Sequence, residues 1–286
     1  MRYEAPKTLE QAVALLAQET GVARVLAGGT DLLVQMRTDL IDPVLLVDIK
    51  GISETRQIKE EGGGFRIGAA VTGAEIKEHP KLKTVWPGVA EAANLIGSTQ
   101  VQGRATMGGN LCNGSPAADS VPALIAAGAK ASIVGPNGRR EVPVEDVMIG
   151  PRKLSLAKGE IVASFVLPPK PARTGDAYLR FIPRTEMDIA VVGAGVCLTL
   201  DASGKCTAAR VALGAVAPRP LLVAPAAAAL VGSKVDDAAL QKLDAAARAA
   251  CQPIDDKRGT REYRVKVAGV LARRAAQIAL ERARKG

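Results

Sequence analysis

The first 50 residues alternate between short apolar runs and amphipathic stretches. Thr8 opens a Thr-Leu-Glu-Gln capping box, and the apolar residues 12–16 that follow predict a helix. Residues 22–27 predict a short buried strand, and residues 32–37 predict a second helix. Residues 44–49 form a continuous apolar run, which is typical of strands in parallel sheets. This order predicts a β–α–β-like opening.

The middle of the chain changes to a period of two. The predicted strands are residues 56–60, 65–70, 130–134, 139–144 and 160–167. Glycines at 62–64 and a Gly-Pro-Asn-Gly turn at 135–138 connect strand pairs, which is a hairpin signal. Thr72 opens a second capping box before a short helix, and residues 91–96 also favour a helix. These patterns predict a mainly antiparallel α+β unit.

A third unit follows the proline-rich residues 168–171, which are a good linker candidate. Two apolar strands are predicted at 189–200 and 206–216, and two helices at 236–250 and 260–284. The fold class predicted for the whole chain is therefore α+β, with more than one domain in 286 residues.

Composition excludes several classes of protein. The chain is 48% apolar and 23% charged, as in ordinary globular proteins. It contains no run of about 18 apolar residues, so we expect no membrane span, and it opens without the apolar stretch of a secretory signal. None of the four cysteines stands in CxxC spacing, so we expect reduced thiols in a cytoplasmic protein and no metal site. A single histidine, His79, makes a catalytic triad hard to build. Any chemistry is therefore expected from an organic cofactor.

The net charge of +9 is concentrated at one end. Residues 257–286 hold ten Lys and Arg and two Glu, so the rest of the chain is close to neutral. With aromatics at 2%, and Tyr263 alone among these basic residues, a nucleic-acid binder is a poor alternative. We expect a helix with a solvated basic face flanking an apolar stripe. The predicted stripe is Val267, Val270, Leu271, Ile278 and Leu280, and the predicted flanking residues are Arg273, Arg274, Arg282 and Arg284. A second hypothesis is that this face meets an acidic protein partner.

Two glycine loops carry the candidate chemistry. Residues 27–31 (Ala-Gly-Gly-Thr-Asp) lie between a predicted strand and a predicted helix, and residues 106–110 (Thr-Met-Gly-Gly-Asn) repeat the pattern. Glycines let the backbone approach a ligand closely, and successive N–H groups bind anions. Each loop alone is also explained by a tight turn or a surface loop. Together they offer N–H groups from two sides, as a diphosphate requires.

Other phosphate-binding signatures are missing. The chain has no GxxxxGK motif, and Gly193-Ala194-Gly195 begins like GxGxxG but has Leu198 at the third glycine position, inside a predicted strand. A Rossmann-type site is therefore disfavoured.

In order and spacing, these motifs resemble the FAD-binding medium subunit of the molybdenum hydroxylase family, which includes the carbon monoxide dehydrogenase medium chain and bacterial xanthine dehydrogenase FAD subunits. The matching segments are residues 3–6, 9–12, 27–33, 106–111, 115–119, 150–153 and 184–190. The resemblance implies a two-lobed FAD-binding domain of the vanillyl-alcohol-oxidase/PCMH type, followed by a small α+β C-terminal domain. We place lobe 1 at residues 1–55, lobe 2 at 56–172 and the C-terminal domain at 176–286.

The same resemblance implies roles for individual residues, none of them catalytic. The residues expected to cradle the FAD pyrophosphate are Ala27, Gly28, Gly29, Thr30, Asp31 and Leu32, with Thr106, Gly108, Gly109 and Asn110 opposite. Asp119 is expected to accept hydrogen bonds from ribityl or ribose hydroxyls, and Ile96 and Val162 to contact the isoalloxazine ring. Arg180 is expected to stabilise reduced flavin through its charge, or alternatively to be a surface strand residue beside Tyr178.

The function implied is that of an electron-transfer subunit. It would take electrons from 2Fe–2S clusters on a small partner, which receives them from a large molybdenum-cofactor partner, and pass them through FAD to NAD, a quinone or another acceptor. A dimer of heterotrimers is the expected assembly. The chain lacks the cysteine-rich insert of 4-hydroxybenzoyl-CoA reductases, which argues against that branch. The alternatives are a stand-alone flavin reductase of the UDP-N-acetylenolpyruvoylglucosamine reductase type and a basic nucleic-acid-binding protein.

Overall fold

The computed structural model describes all 286 residues. The strands are β1 (Arg2–Glu4), β2 (Ala23–Leu26), β3 (Leu45–Asp48), β4 (Ile58–Glu61), β5 (Gly64–Gly68), β6 (Lys130–Gly135), β7 (Gly138–Pro143), β8 (Met148–Gly150), β9 (Lys153–Leu154), β10 (Ile161–Leu167), β11 (Thr174–Phe181), β12 (Val192–Leu200), β13 (Cys206–Gly214) and β14 (Leu221–Leu222). The helices are α1 (Leu9–Gln18), α2 (Leu32–Arg37), α3 (Gly73–Glu78), α4 (Pro80–Val85), α5 (Pro87–Ala93), α6 (Thr99–Gln102), α7 (Met107–Cys112), α8 (Ser120–Ala126), α9 (Ala224–Ala228), α10 (Asp237–Ala249) and α11 (Arg261–Lys285).

The first sheet is parallel and has the strand order β1-β3-β2. Thr8 caps α1 by accepting the Gln11 N–H at 3.2 Å, and the apolar face of α1 packs into a small core with β3. The predicted β–α–β opening is confirmed. Strand β1 escaped prediction because it spans three residues that are exposed or half-buried.

The second sheet is antiparallel, in the order β4-β5-β10-β6-β7. Gly62 and Gly63 turn the β4–β5 hairpin with φ values of +59° and +78°, which other residues rarely adopt. Apolar residues of α3, α4, α5, α7 and α8 share a core with this sheet, and that core includes Trp86 and Phe165. Both predicted hairpins are confirmed, as is the capping box at Thr72.

The third sheet runs β11-β12-β13-β14, and α10 and α11 pack against it. Asp236 and Thr260 cap these two helices, at the positions where the sequence predicted their starts. No helix of the protein is both long enough and apolar enough to cross a bilayer.

The buried face of α11 differs from the predicted one. Of the predicted stripe, Leu271 and Leu280 are buried, whereas Val267, Val270 and Ile278 are only half-buried. The buried positions are mostly alanine: Ala268, Ala272, Ala275, Ala276, Ala279 and Ala283. A Cβ on Gly175 of β11 would lie 1.9 Å from the Ala279 carbonyl oxygen. The helix backbone therefore lies directly on the strand, and such a close approach selects small side chains over branched ones.

Two arginines of α11 turn inward. Arg264 is 3% exposed and donates to the Val191 carbonyl and to Asp256. Arg282 pairs with Glu91 of α5 and donates to the Asp176 carbonyl at 2.7 Å. The expectation that Arg282 flanks a solvated face is therefore wrong, because its guanidinium joins the C-terminal sheet to the helices of the second sheet.

Asp176 makes a second junction of the same kind. Its carboxylate accepts the N–H of Gly88 at 2.8 Å and pairs with Lys170 Nζ at 2.6 Å. Asp176 is 3% exposed, and buried charges require such partners. The contact with Gly88 fixes β11 against α5.

Candidate cofactor site

The loop at residues 27–31 leaves its backbone N–H groups free. Gly29 has φ +76°, and its carbonyl accepts the Leu33 N–H, which begins α2. The N–H groups of residues 28–32 donate no hydrogen bond within the protein. Gly28, Gly29, Thr30 and Leu32 are half-buried and Asp31 is exposed, so this row of N–H groups is accessible to a ligand rich in acceptor oxygens.

The loop at residues 106–110 has a different structure. Thr106 Oγ1 accepts the Gly109 N–H at 2.9 Å, and the Thr106 carbonyl accepts the Asn110 N–H. The chain then continues as α7, with Gly108 so close to Ala69 that a Cβ would lie 2.4 Å from its carbonyl oxygen. This segment was not predicted to be a helix, and two of the N–H groups expected to face a ligand are used to build it.

The structure brings the two loops together. A Cβ on Gly28 would lie 2.0 Å from the carbonyl oxygen of Arg104, so the first loop rests on the backbone just before the second. Gln35 of α2 donates to Asn113 Oδ1 at 2.8 Å, immediately beyond α7. The spacing of 76 residues along the chain between Gly28 and Arg104 gave no sign of this contact.

Asn110 connects the second loop to α8. Its Oδ1 accepts the backbone N–H of Ser120 at 3.0 Å and the Ser120 hydroxyl at 2.7 Å. The side chain thus caps α8 from outside that helix. Asp119, the residue before α8, makes no capping hydrogen bond with its side chain.

Asp119 faces strand β11. Its Oδ1 accepts a hydrogen bond from the Tyr178 hydroxyl at 3.2 Å, and its Oδ2 pairs with Arg180 Nη1 at 2.9 Å. Burial raises the pKa of Asp119 to about 6 and also raises that of Tyr178. Arg180 Nη1 donates in addition to the Leu95 carbonyl at 2.6 Å. Arg180 is therefore not a surface residue, and its charge is compensated within the protein.

The two residues expected at the flavin ring lie in different environments. Ile96 follows Leu95 and is half-buried, so it belongs to the neighbourhood of Asp119 and Arg180. Val162 is 3% exposed, pairs with Ile133 in the second sheet and packs within the main apolar core. Val162 therefore shares its apolar core with Met107 and Leu111 of α7.

The site has few reactive side chains. No group of three or more His, Cys, Asp and Glu is arranged to hold a metal ion. Burial raises the pKa of Cys197 to about 12, so this thiol does not ionise near neutral pH. Four contributors were not foreseen as parts of the site: Gln35, Asn113, Tyr178 and the carbonyl of Leu95. The arrangement can bind and orient a polar anionic ligand, and the redox chemistry would come from that ligand.

The fold and the paired loops define a class of flavoprotein. Residues 1–170 match the family model described as the FAD binding domain in molybdopterin dehydrogenase, and residues 177–279 match the CO dehydrogenase flavoprotein C-terminal domain. The chain belongs to this family.

Its relatives are named subunits of dehydrogenases. The chain is 37% identical to the carbon monoxide dehydrogenase medium chain of Afipia carboxidovorans, covering 99% of this chain and 97% of the relative. It is 34% identical to the putative xanthine dehydrogenase FAD-binding subunit of Escherichia coli K12, covering 92% and 90%. Among solved structures, reconstituted CO dehydrogenase from Oligotropha carboxidovorans matches with a TM-score of 0.94, at 37% identity over 99% of this chain and 98% of that one. Quinoline 2-oxidoreductase from Pseudomonas putida 86 matches with a TM-score of 0.90, at 29% identity over the same shares.

These likenesses confirm the predicted family, the α+β fold with a C-terminal domain, the FAD cofactor and the oxidoreductase class. The domain limits and the individual site residues stay predictions.

Proposed function

We propose that this chain is the FAD-holding electron-transfer subunit of a heteromeric molybdenum hydroxylase. The observation that carries the proposal is the row of unpaired N–H groups at residues 28–32, packed against the backbone that precedes the second glycine loop. Bound FAD supplies the ability to accept electrons from a partner and to release them to NAD, a quinone or another acceptor.

The first loop provides most of the anion binding in this proposal. A diphosphate is bound through hydrogen-bond donors, and residues 28–32 offer several free N–H groups along one short segment. The Thr30 hydroxyl, which has no hydrogen-bond partner in the protein, adds another donor beside Ala27 and Asp31. Thr106, Gly108, Gly109 and Asn110 follow Arg104, on which Gly28 rests, and the N–H groups of Thr106 and Gly108 donate to no protein atom.

The ring of the flavin is assigned to the neighbourhood of Ile96. Arg180 and Asp119 flank that residue through the Leu95 carbonyl. Ile96 supplies an apolar contact to the ring. Val162 is also proposed to contribute to the flavin site. Because it is buried, it would do so as part of the apolar core behind the site.

The proposed partners are a small subunit with 2Fe–2S clusters and a large molybdenum-cofactor subunit, in a dimer of heterotrimers in the cytoplasm. Relatives are named medium chain or FAD subunit, which supports a multi-subunit assembly. The chain has no cluster of metal ligands of its own. The assigned division into residues 1–55, 56–172 and 176–286 places the flavin within the first two segments and Arg180 in the third.

The exposed face of α11 is the proposed contact with an acidic subunit. Lys266, Arg274 and Arg284 are exposed there and form no ion pair, and Arg273 is only loosely paired, 3.9 Å from Asp244. The double change Arg273→Glu and Arg274→Glu should weaken assembly, most strongly at low salt. Intact co-purification of the partners with this variant would count against the contact.

The function is tested by purifying the full chain together with its co-expressed partners. We expect stoichiometric FAD, and we expect the partners' substrate to reduce it only when the iron–sulfur subunit is present. Flavin-free complexes would overturn the proposal. Rapid NADPH oxidation by the isolated chain would favour the stand-alone reductase instead.

A further inference from the structure

Two distant parts of the chain meet at Asp119. Its carboxylate lies between the Tyr178 hydroxyl and the Arg180 guanidinium, both on β11. The side chains of Asp119 and Arg180 are 10% and 5% exposed. A charge pair so well shielded from water is screened much less than a surface pair, and each member strongly affects nearby charge.

Arg180 is held by one of its three nitrogens. Nη1 donates to both Asp119 and the Leu95 carbonyl, whereas Nε and Nη2 donate to no protein atom. In the same turn, Asn94 Oδ1 is a buried acceptor without a partner. Free donors and a free acceptor beside Ile96 match a ligand edge that carries both carbonyl oxygens and an N–H, as the polar half of a flavin ring does.

On the basis of the flavin site proposed above, we propose that Asp119 is a positioning residue for that site. It holds Arg180 with its free donors toward the flavin ring and cancels part of the guanidinium charge. The electron affinity of the bound flavin therefore depends on Asp119, and it does so through Arg180.

The sign of the effect follows from the charges. With its pKa near 6, Asp119 is mainly ionised at pH 7 and offsets Arg180. Tyr178 and Arg180 are the groups that face it from β11, and Asn110 and Ser120 satisfy the start of α8 without contacting the carboxylate. Loss of the carboxylate charge leaves Arg180 uncompensated, which favours the more negative, reduced flavin.

The test is the midpoint potential of FAD bound to the full chain carrying Asp119→Asn. We expect a more positive potential, equivalent to about a tenfold rise in the ratio of reduced to oxidised flavin at a fixed potential, or about 30 mV for a two-electron couple. Asp176→Asn is the matched control. Asp176 is also a buried aspartate that pairs with a cation across the same two parts of the fold, but it touches neither Leu95 nor Arg180. Its variant should leave the potential unchanged.

A double-mutant cycle shows whether Asp119 acts through Arg180. In an Arg180→Gln background, Asp119→Asn should cause no further shift. If Asp119→Asn does not fold, Tyr178→Phe removes one hydrogen bond from the carboxylate and should shift the potential less, in the same direction.

An unchanged potential, an equal shift in Asp176→Asn, or a shift that persists without Arg180 would overturn the inference while leaving the proposed function standing. A wild-type chain that binds no FAD would overturn both.

Discussion

The two glycine loops are alike in composition and unlike in structure. In the second loop, Thr106 precedes the glycines, so its hydroxyl caps the Gly109 N–H and the chain winds into α7. In the first loop, Thr30 follows the glycines and its hydroxyl makes no such bond, so the N–H groups of residues 28–32 stay free. The position of one threonine relative to two glycines thus distinguishes the two loops. The N–H groups of the second loop are partly bonded within the protein, whereas those of the first are free to bind a ligand.

The largest effect is expected from Gly28→Ala. The new Cβ would lie 2.0 Å from the Arg104 carbonyl oxygen, so the backbones of the two loops must separate. We expect loss of FAD and a fall in the free energy of unfolding of about 3 kcal/mol, the upper range for an overpacked site. Flavin absorbance per chain and urea unfolding measure the two effects.

Gly103→Ala is the matched control for Gly28→Ala. Gly103 lies next to Arg104 but has open space where a Cβ would be placed, and its φ is negative. This variant should keep its FAD and change the free energy of unfolding by less than about 0.5 kcal/mol. Equal damage from both changes would show that the contact between the loops is unimportant.

Thr106→Ala should lower the stability of the chain even without FAD. The change removes the side-chain cap of α7, which typically costs about 1–2 kcal/mol, and Thr106 is 3% exposed, so no water can replace the hydroxyl. Urea unfolding of the flavin-free chain checks this. A variant as stable as wild type would contradict the assignment of Thr106 to helix capping.

Thr30→Ala should have the opposite profile. Thr30 makes no hydrogen bond in the protein, so the flavin-free chain should keep its stability. FAD affinity should fall about tenfold, because a hydrogen bond to a charged phosphate oxygen is lost. Fluorescence titration with FAD measures the affinity. If Thr30→Ala destabilises the flavin-free chain as much as Thr106→Ala does, the two loops do not differ as described.

A further expected effect is a pH dependence of stability at Asp119, the residue before α8. Burial raises its folded pKa to about 6, above the unfolded value of about 3.9. Between these values the folded state binds more protons than the unfolded state, so this group's contribution to stability falls as pH rises from about 4 to 6. The free energy of unfolding of wild type should therefore fall, relative to that of Asp119→Asn, as pH rises across that range. Urea unfolding of both proteins at several pH values measures this. A constant difference would mean that the carboxyl titrates normally.

Local signals in the sequence account for much of the fold. The capping residues Thr8, Thr72, Asp236 and Thr260 each open the helix predicted for them. Glycines mark the hairpin turn between β4 and β5, and both glycine loops are visible at once. These features depend on residues a few positions apart, which sequence patterns report directly.

Contacts between distant residues account for what was missed. Asp119 and Arg180 stand 61 residues apart, and neither residue type signals the other. Hydrophobicity alone predicts that Val267 and Ile278 of α11 are buried in preference to the alanines. The alanine face is buried instead because the backbone of Gly175 lies so close to the helix. The side of a sheet that Val162 faces depends on strand register, which pairs it with Ile133 over the main core.

The proposed function depends on the backbone of residues 28–32 holding the FAD diphosphate. Hydrogen exchange of the full chain, with and without FAD, measures this at each amide. We expect strong FAD-dependent protection of the amides at 28–32, and little change at Gly109 and Asn110, whose amides are already bonded. Tight FAD binding without added protection at 28–32 would contradict it.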